Sequence, residues 1–184
     1  MKWKVALAVL LMIAGVMVFA NAEEKETFTC GDYEYTLAED GTAVIMDYNG
    51  KDEKLTIPSE LDGHIVKGIG DRAFSWCKSL TSITLPDGIT SIGDRAFYGC
   101  ESLTSITLPD SITSIGDRAF YGCESLTSIT LPDSITDLGA NPWRYCRNLA
   151  AITVSPKNPS LAVIDGVLYS KADKRLVWYP MTSR

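Results

Sequence analysis

Residues 79–101 (SLTSITLPDGITSIGDRAFYGCE) and residues 102–124 (SLTSITLPDSITSIGDRAFYGCE) are identical except for Gly88 against Ser111. A chain that runs the same 23-residue unit twice in succession must stack the copies, because no single copy can bury its own apolar face. Residues 125–147 keep the first half of the unit and diverge in the second, and residues 55–78 form a looser copy with a longer middle. Leu80, Leu103, Leu126 and Leu149 mark the period, as do Cys77, Cys100, Cys123 and Cys146.

Each unit has two physical halves. In LTSITLP, Leu80, Ile83 and Leu85 face inward and Ser82 and Thr84 outward, which predicts a short β-branched strand stopped by Pro86. In the run from Gly93 to Gly99, Asp94 stands where a helix N-cap would, and Gly99 can end a helix in the left-handed conformation. A short helical turn is therefore expected on the return. In the third copy Asn141 before Pro142 preserves that capping chemistry, shifted by one residue.

Stacking then predicts columns: Leu80, Leu103 and Leu126; Ile83, Ile106 and Ile129; and Phe74, Phe97, Phe120 and Trp143. At the N-terminal side, Tyr33, Tyr35 and Leu37 alternate before an Asp40-Gly41 turn and a strand from Ala43 to Met46, which predicts a β-hairpin cap. At the C-terminal side, a strand from Ile164 to Tyr169, a turn across Ser170 to Lys174 and a strand from Arg175 to Pro180 predict another. The expected fold class is an α/β repeat: a short solenoid with parallel strands on one face, helical turns on the return and a hairpin cap at each end. The expected divisions are a secretory signal at 1–22, the N-terminal cap at 23–54, repeats at 55–147, and the last coil with its cap at 148–184.

Lys2 and Lys4, an uncharged apolar run to Phe19 and the small residues Ala20-Asn21-Ala22 form the pattern of a cleaved secretory signal. The expected location is therefore extracellular or on the cell surface, with no stable membrane span after cleavage. No lipid-attachment cysteine follows the apolar run, and no hydrophobic tail ends the chain. A net charge of -6 offers no basic footprint for nucleic acid, which is not an expected partner. The single His64 rules out multi-histidine metal sites, and phosphate-binding, zinc-protease and nucleophile-elbow signatures are missing. No enzyme activity, cofactor or metal is expected.

The string LxxIxLPxxIxxIGxxAFxxC, present at 80–100 and 103–123 and in part at 126–146, closely resembles the BspA-type leucine-rich repeat family of bacterial surface and secreted proteins. DYEYTLAEDGTAVI followed by LTIPSELDGHIVKGIGDRAF resembles that family's N-terminal cap, and VIDGVLYSKADKRLVWYP its recurring hairpin. The resemblance implies a right-handed leucine-rich-repeat solenoid with a strand-lined concave face, exported and often linked to adhesion and host-protein binding. It implies no chemistry. Family members commonly carry many more repeats, and often a wall-binding or sorting segment not seen here.

The concave face is then the expected site of contact with an extracellular protein or glycan, through Ser82, Thr84, Ser105, Thr107, Ser128, Thr130 and Thr153. Thr56 and Ala151 belong to the same row. This face is polar and uncharged, without the aromatic and arginine anchors of strong interfaces. Trp76, Tyr98, Tyr121, Tyr145, Trp178 and Tyr179 are better anchors wherever they are exposed.

Other columns read as structural. The cysteine column is expected as buried free thiols, with disulfides between neighbouring coils geometrically conceivable. Asp87, Asp110 and Asp133 are expected to accept local backbone N–H bonds in the turns after the strands rather than to hold calcium. Asp71, Asp94, Asp117 and Arg72, Arg95, Arg118 read as caps and a solvated charge lattice, as do Lys78, Glu101, Glu124 and Arg147. The near-identical repeats equally fit a truncated or purely structural remnant with no ligand, and an enzyme centred on His64 and Asp62 is the remaining alternative.

Overall fold

The computed structural model describes residues 25–180. The predicted secretory signal, residues 1–22, lies outside the described residues. In chain order the strands are β1 (Thr27–Cys30), β2 (Tyr33–Leu37), β3 (Ala43–Tyr48), β4 (Lys54–Thr56), β5 (Glu60–Leu61), β6 (His64–Ile69), β7 (Ser82–Thr84) and β8 (Ser91–Ile92). They continue as β9 (Ser105–Thr107), β10 (Ser114–Ile115), β11 (Ser128–Leu131), β12 (Asp137–Leu138), β13 (Ala151–Val154), β14 (Leu161–Ile164), β15 (Val167–Ser170) and β16 (Leu176–Trp178). No helix occurs among the described residues.

The predicted LTSITLP strands form, and pair in parallel with like residue over like. Ser82, Ile83 and Thr84 lie against Ser105, Ile106 and Thr107, and Ser128 to Leu131 lie against Ala151 to Val154. Ile83, Leu85, Ile106, Leu108, Ile129 and Leu131 are buried, so the period-two alternation faces the core as expected. A second parallel ladder, not predicted, runs β6-β8-β10-β12 in register, with Ser91 opposite Ser114 and Ile92 opposite Ile115. Each coil thus has two short strands on different sides of one core.

The expected helical turn is absent because the return segment divides its backbone donors between two coils. Arg95, Phe97 and Gly99 donate to the carbonyls of Asp117, Ala119 and Tyr121 on the next coil, whereas Ala96, Tyr98 and Cys100 donate three residues back within their own. A helix needs all of these bonds to be local. Left-handed φ values at Arg72 (59°), Arg95 (53°), Arg118 (53°) and Asn141 (52°) also break the helical path one or two residues after it would begin.

Nor are the aspartates of this column caps. Asp71, Asp94 and Asp117 each accept, through Oδ1, a backbone N–H one coil further on, from Asp94 at 2.8 Å, Asp117 at 2.8 Å and Ala140 at 2.6 Å. The close approach requires a glycine: a Cβ at Gly116 would lie 2.5 Å from Asp94 Oδ1 and 2.7 Å from its backbone nitrogen. The turns after the strands also differ from expectation. Ile89, Ile112 and Ile135 donate to the carbonyls of Pro86, Pro109 and Pro132, so the prolyl carbonyls and not the carboxylates of Asp87, Asp110 and Asp133 close them.

The aromatic column is as predicted. Phe74 and Phe97 stack at 5.2 Å, and Phe97 and Phe120 at 5.3 Å with planes 2° apart. Such pairs add about 0.5–1.5 kcal/mol each beyond the area they bury. Trp143 is buried in the next coil.

The loose first copy carries its extra residues in one place. Lys54 pairs with Ser82, 28 positions on, yet Gly68 pairs with Ser91 at the regular 23. The insertion is the small β5–β6 hairpin, Glu60 opposite Ile65 and Leu61 opposite His64. Antiparallel strands flank the coils: β1-β2-β3, with β3 joining β6 in parallel, and β14-β15-β16. The latter departs from the predicted single hairpin, because Asp165 and Gly166 (φ 51° and 79°) turn the chain between β14 and β15.

Candidate functional site

Two surfaces carry side chains able to meet a partner. The first is the outward row of the strand ladder. Thr84, Ser105, Thr107, Ser128, Thr130 and Thr153 are exposed and Ser82 is half-buried, with Thr56 and Ala151 exposed in the same row. Parallel pairing in register sets Ser82 and Thr84 beside Ser105 and Thr107, and Ser128 and Thr130 beside Ala151 and Thr153, in two separate short ladders, β4-β7-β9 and β11-β13. Thr130 and Thr153 share a hydroxyl–hydroxyl bond of 2.8 Å. Between β9 and β11 a shallow depression of about 270 Å³ is lined by Ser105, Thr107, Ser128, Thr130 and Asp110.

Several hydroxyls in other columns bond to the backbone of the neighbouring coil. Thr104 Oγ1 donates to Thr81 O at 2.9 Å, Thr113 Oγ1 to Thr90 O at 3.1 Å and Ser111 Oγ to Ile89 O at 2.6 Å.

The second surface is a ridge of aromatic and guanidinium groups along the return segments. Tyr98 and Tyr121 stack on each other, and Trp76 and Tyr145 close the row edge-on, at 5.2 Å from Tyr98 and 5.0 Å from Tyr121. Trp76 is 56% exposed and Tyr145 38%, so two of the aromatics singled out in the sequence are open to a partner, as is Tyr179. Trp178 is buried. Trp76 (φ 64°) and Tyr145 (φ 62°) occupy the left-handed position that Gly99 (70°) and Gly122 (73°) hold in the middle copies. A bulky side chain there is a backbone outlier.

Beside the ridge, Lys78 pairs with Glu101 at 2.9 Å and Arg147 with Glu124 at 3.7 Å, all exposed, which bears out the structural reading of that column. Arg95, Arg118 and Arg144 have no carboxylate partner among the described residues, and with Tyr98 and Tyr121 they line a groove of about 270 Å³. Arg144 also lies over the Tyr145 ring, 5.1 Å from its centroid. Sequence reasoning took the Arg72/Arg95/Arg118 column for a balanced lattice and did not join Arg144 to it. The sequence carried no signal for it, because Arg144 falls one period after Tyr121 and the backbone bonds of the aspartates appear only when the coils stack.

The cysteines are free thiols. Cys100, Cys123 and Cys146 are buried, and each Sγ donates to a carbonyl of the preceding coil: Phe74 at 3.0 Å, Phe97 at 3.2 Å and Phe120 at 3.0 Å. Hydrogen bonding with Cys100 and Cys146, together with burial, raises the Cys123 thiol far above its usual range. Cys77 is half-buried, and burial, with the adjacent Cys100 thiol, pushes it up to about 12. Cys77 and Cys123 are therefore protonated and inert at neutral pH.

His64 and Asp62 do not form a relay. His64 Nδ1 lies 2.9 Å from Gly41 O, to which it donates, and Asp62 Oδ2 accepts the Tyr35 hydroxyl at 2.9 Å. Among the described residues no cluster of three His, Cys, Asp or Glu could hold a metal ion, and no helix is long and apolar enough to cross a membrane.

Comparison with known proteins agrees with this architecture. Residues 67–170 match the BspA type leucine rich repeat region in six copies. A leucine-rich repeat protein from Bacteroides capillosus is 30% identical, with a TM-score of 0.64, over 70% of this chain and 98% of that one. The T. pallidum leucine rich repeat protein is 29% identical, with a TM-score of 0.60, over 69% and 71%. A leucine rich cell surface protein from Faecalibacterium prausnitzii is 27% identical, with a TM-score of 0.50, over 84% and 62%. A search of curated protein sequences finds no match. The chain belongs to the BspA-type leucine-rich repeat family.

Proposed function

We propose that this chain is a non-enzymatic binding module, exported from the cell, that contacts an extracellular protein or glycan through the hydroxyl row of its strand ladder. The observation that carries the proposal is that Thr84, Thr107, Thr130 and Thr153 are exposed hydroxyls of consecutive repeats, Thr84 paired with Thr107 and Thr130 with Thr153. A regular array of donors and acceptors suits a partner with regular polar groups, and repetition compensates for the weakness of each bond. The antiparallel strands before and after the coils act as end caps in this reading, shielding ladders that would otherwise expose pairing edges. The engagement of His64 by Gly41 and of Asp62 by Tyr35 supports a non-catalytic role. The likeness to a bacterial cell surface protein supports an extracellular one.

The test is capture of ligands by the folded protein from a panel of extracellular-matrix proteins and glycans. Saturable binding to at least one is expected. Failure across the panel, with circular dichroism confirming the fold, favours the alternative of a purely structural repeat.

A further inference from the structure

A cavity away from the strand ladder lies between the last divergent repeat and β16. It has a volume of about 410 Å³ and is walled by Trp143, Arg144 and Tyr145 on one side and by Leu176, Trp178 and Tyr179 on the other. Trp143 is buried, yet its Nε1 is the one buried side-chain nitrogen or oxygen among the described residues without a hydrogen-bond partner. Tyr179 is 56% exposed and Leu176 49%, an apolar surface that folding has left unburied.

The cavity does not end at Arg144. That residue is also a wall of the Arg95–Arg118 groove, so three guanidinium groups lead along the coil axis into the aromatic pocket. The axial step on this side is set by the Tyr98–Tyr121 stack, 4.8 Å. An extended sugar residue is about as long as that step. Unpaired cations at this pitch, in a chain of net charge -6, select a linear partner with a regularly repeated negative charge. Aromatic walls select the apolar face of a pyranose ring, and guanidinium selects a planar carboxylate, which it can bind with two parallel bonds.

We propose that the pocket and its arginine groove bind an acidic polysaccharide, with a terminal carboxylate-bearing sugar between Tyr145 and Tyr179 and its carboxylate on Arg144. Arg118 and Arg95 take the carboxylates of the sugars that follow. This site is separate from the strand ladder, and its occupant is a glycan and not a nucleic acid, whose denser charge calls for more cations than three.

Titration calorimetry of the full chain with oligohexuronates tests it, beside the neutral oligosaccharides of the same length, a sulfated oligosaccharide and a single-stranded oligonucleotide. The expected result is saturable, salt-weakened binding of the oligohexuronate and little of the neutral glycan. Arg144→Gln should weaken it about tenfold and Tyr179→Ala about fivefold. Both positions are exposed, so neither substitution threatens the fold, and the strand-face variant Thr84/Thr107/Thr130→Arg should bind the oligohexuronate as the wild type does. Equal binding of neutral glycan, preference for the sulfated glycan or the oligonucleotide, indifference to Arg144→Gln, or no binding would each overturn the proposal.

Discussion

The ring of Tyr98 lies parallel to that of Tyr121, planes 5° apart and centroids 4.8 Å apart, so the two residues cover each other's faces. Trp76 covers the other side of this row and also fills the space above Gly99, where a Cβ would lie 2.5 Å from its Cε3. At Gly122 nothing comes nearer than 3.8 Å to such a Cβ. Both glycines have left-handed φ, so alanine at either is strained by about 1 kcal/mol. Gly99→Ala is expected to cost more than Gly122→Ala in urea denaturation, because only the former also displaces an indole ring.

Asn158 is fully buried and ties the last coil to β14. Its amide nitrogen donates to Pro132 O at 2.9 Å and Ile135 O at 3.1 Å, and its Oδ1 accepts from the backbone of Ser160 and Leu161. Asn158→Ala removes four hydrogen bonds to the backbone in a buried site and should destabilise the protein by about 3 kcal/mol, read from the shift of the urea midpoint at unchanged slope.

The Oδ1 ladder of Asp71, Asp94 and Asp117 sets the coil spacing on the return side. Asp94→Ala removes the acceptor for the Asp117 N–H and is expected to cost about 1–2 kcal/mol, whereas Asp94→Asn keeps an oxygen in place and should cost less. Equal losses for the two variants would show that the carboxylate oxygen is not what holds the coils there.

Alkaline pH provides a separate check. Burial raises the Cys77 thiol from its ordinary 9.0 to about 12, and burial with the Asp52 hydrogen bond raises the Tyr48 phenol above its ordinary 10.0. The folded protein therefore keeps protons that the unfolded chain loses. The stabilisation is complete below pH 9 and is lost as pH rises from there through 12. The urea midpoint should fall steadily across that window, and Tyr48→Phe, which retains the ring packed against Phe74, should flatten the fall.

Much of the solenoid was legible from its repeat. Leu80, Ile83, Phe97 and Cys100 recur at fixed spacing and are buried, because a column in sequence becomes a column in space when coils stack in register. The β8-β10-β12 ladder was not legible, since two-residue strands such as Ser91–Ile92 show no periodicity of their own. The Asp94-Arg95-Ala96-Phe97 run imitates a capped helix in local sequence, and only the neighbouring coil, which takes half its backbone bonds, decides against one. At the surface, Ser82 to Thr153 followed from strand alternation. The C-terminal cavity did not, because Trp143 and Tyr179 are brought together by β16 folding back on a repeat more than thirty residues earlier in the chain.

The central claim is that the aligned hydroxyls form the binding face. Its most direct test is surface plasmon resonance of the folded chain against whichever protein or uncharged glycan the panel selects, with Thr84/Thr107/Thr130→Arg alongside. Three arginines on an exposed row leave the core intact, so the variant should unfold at the same urea concentration as the wild type. Loss of saturable binding in that variant is the predicted result. Undiminished binding would contradict the account and place the contact elsewhere on the solenoid.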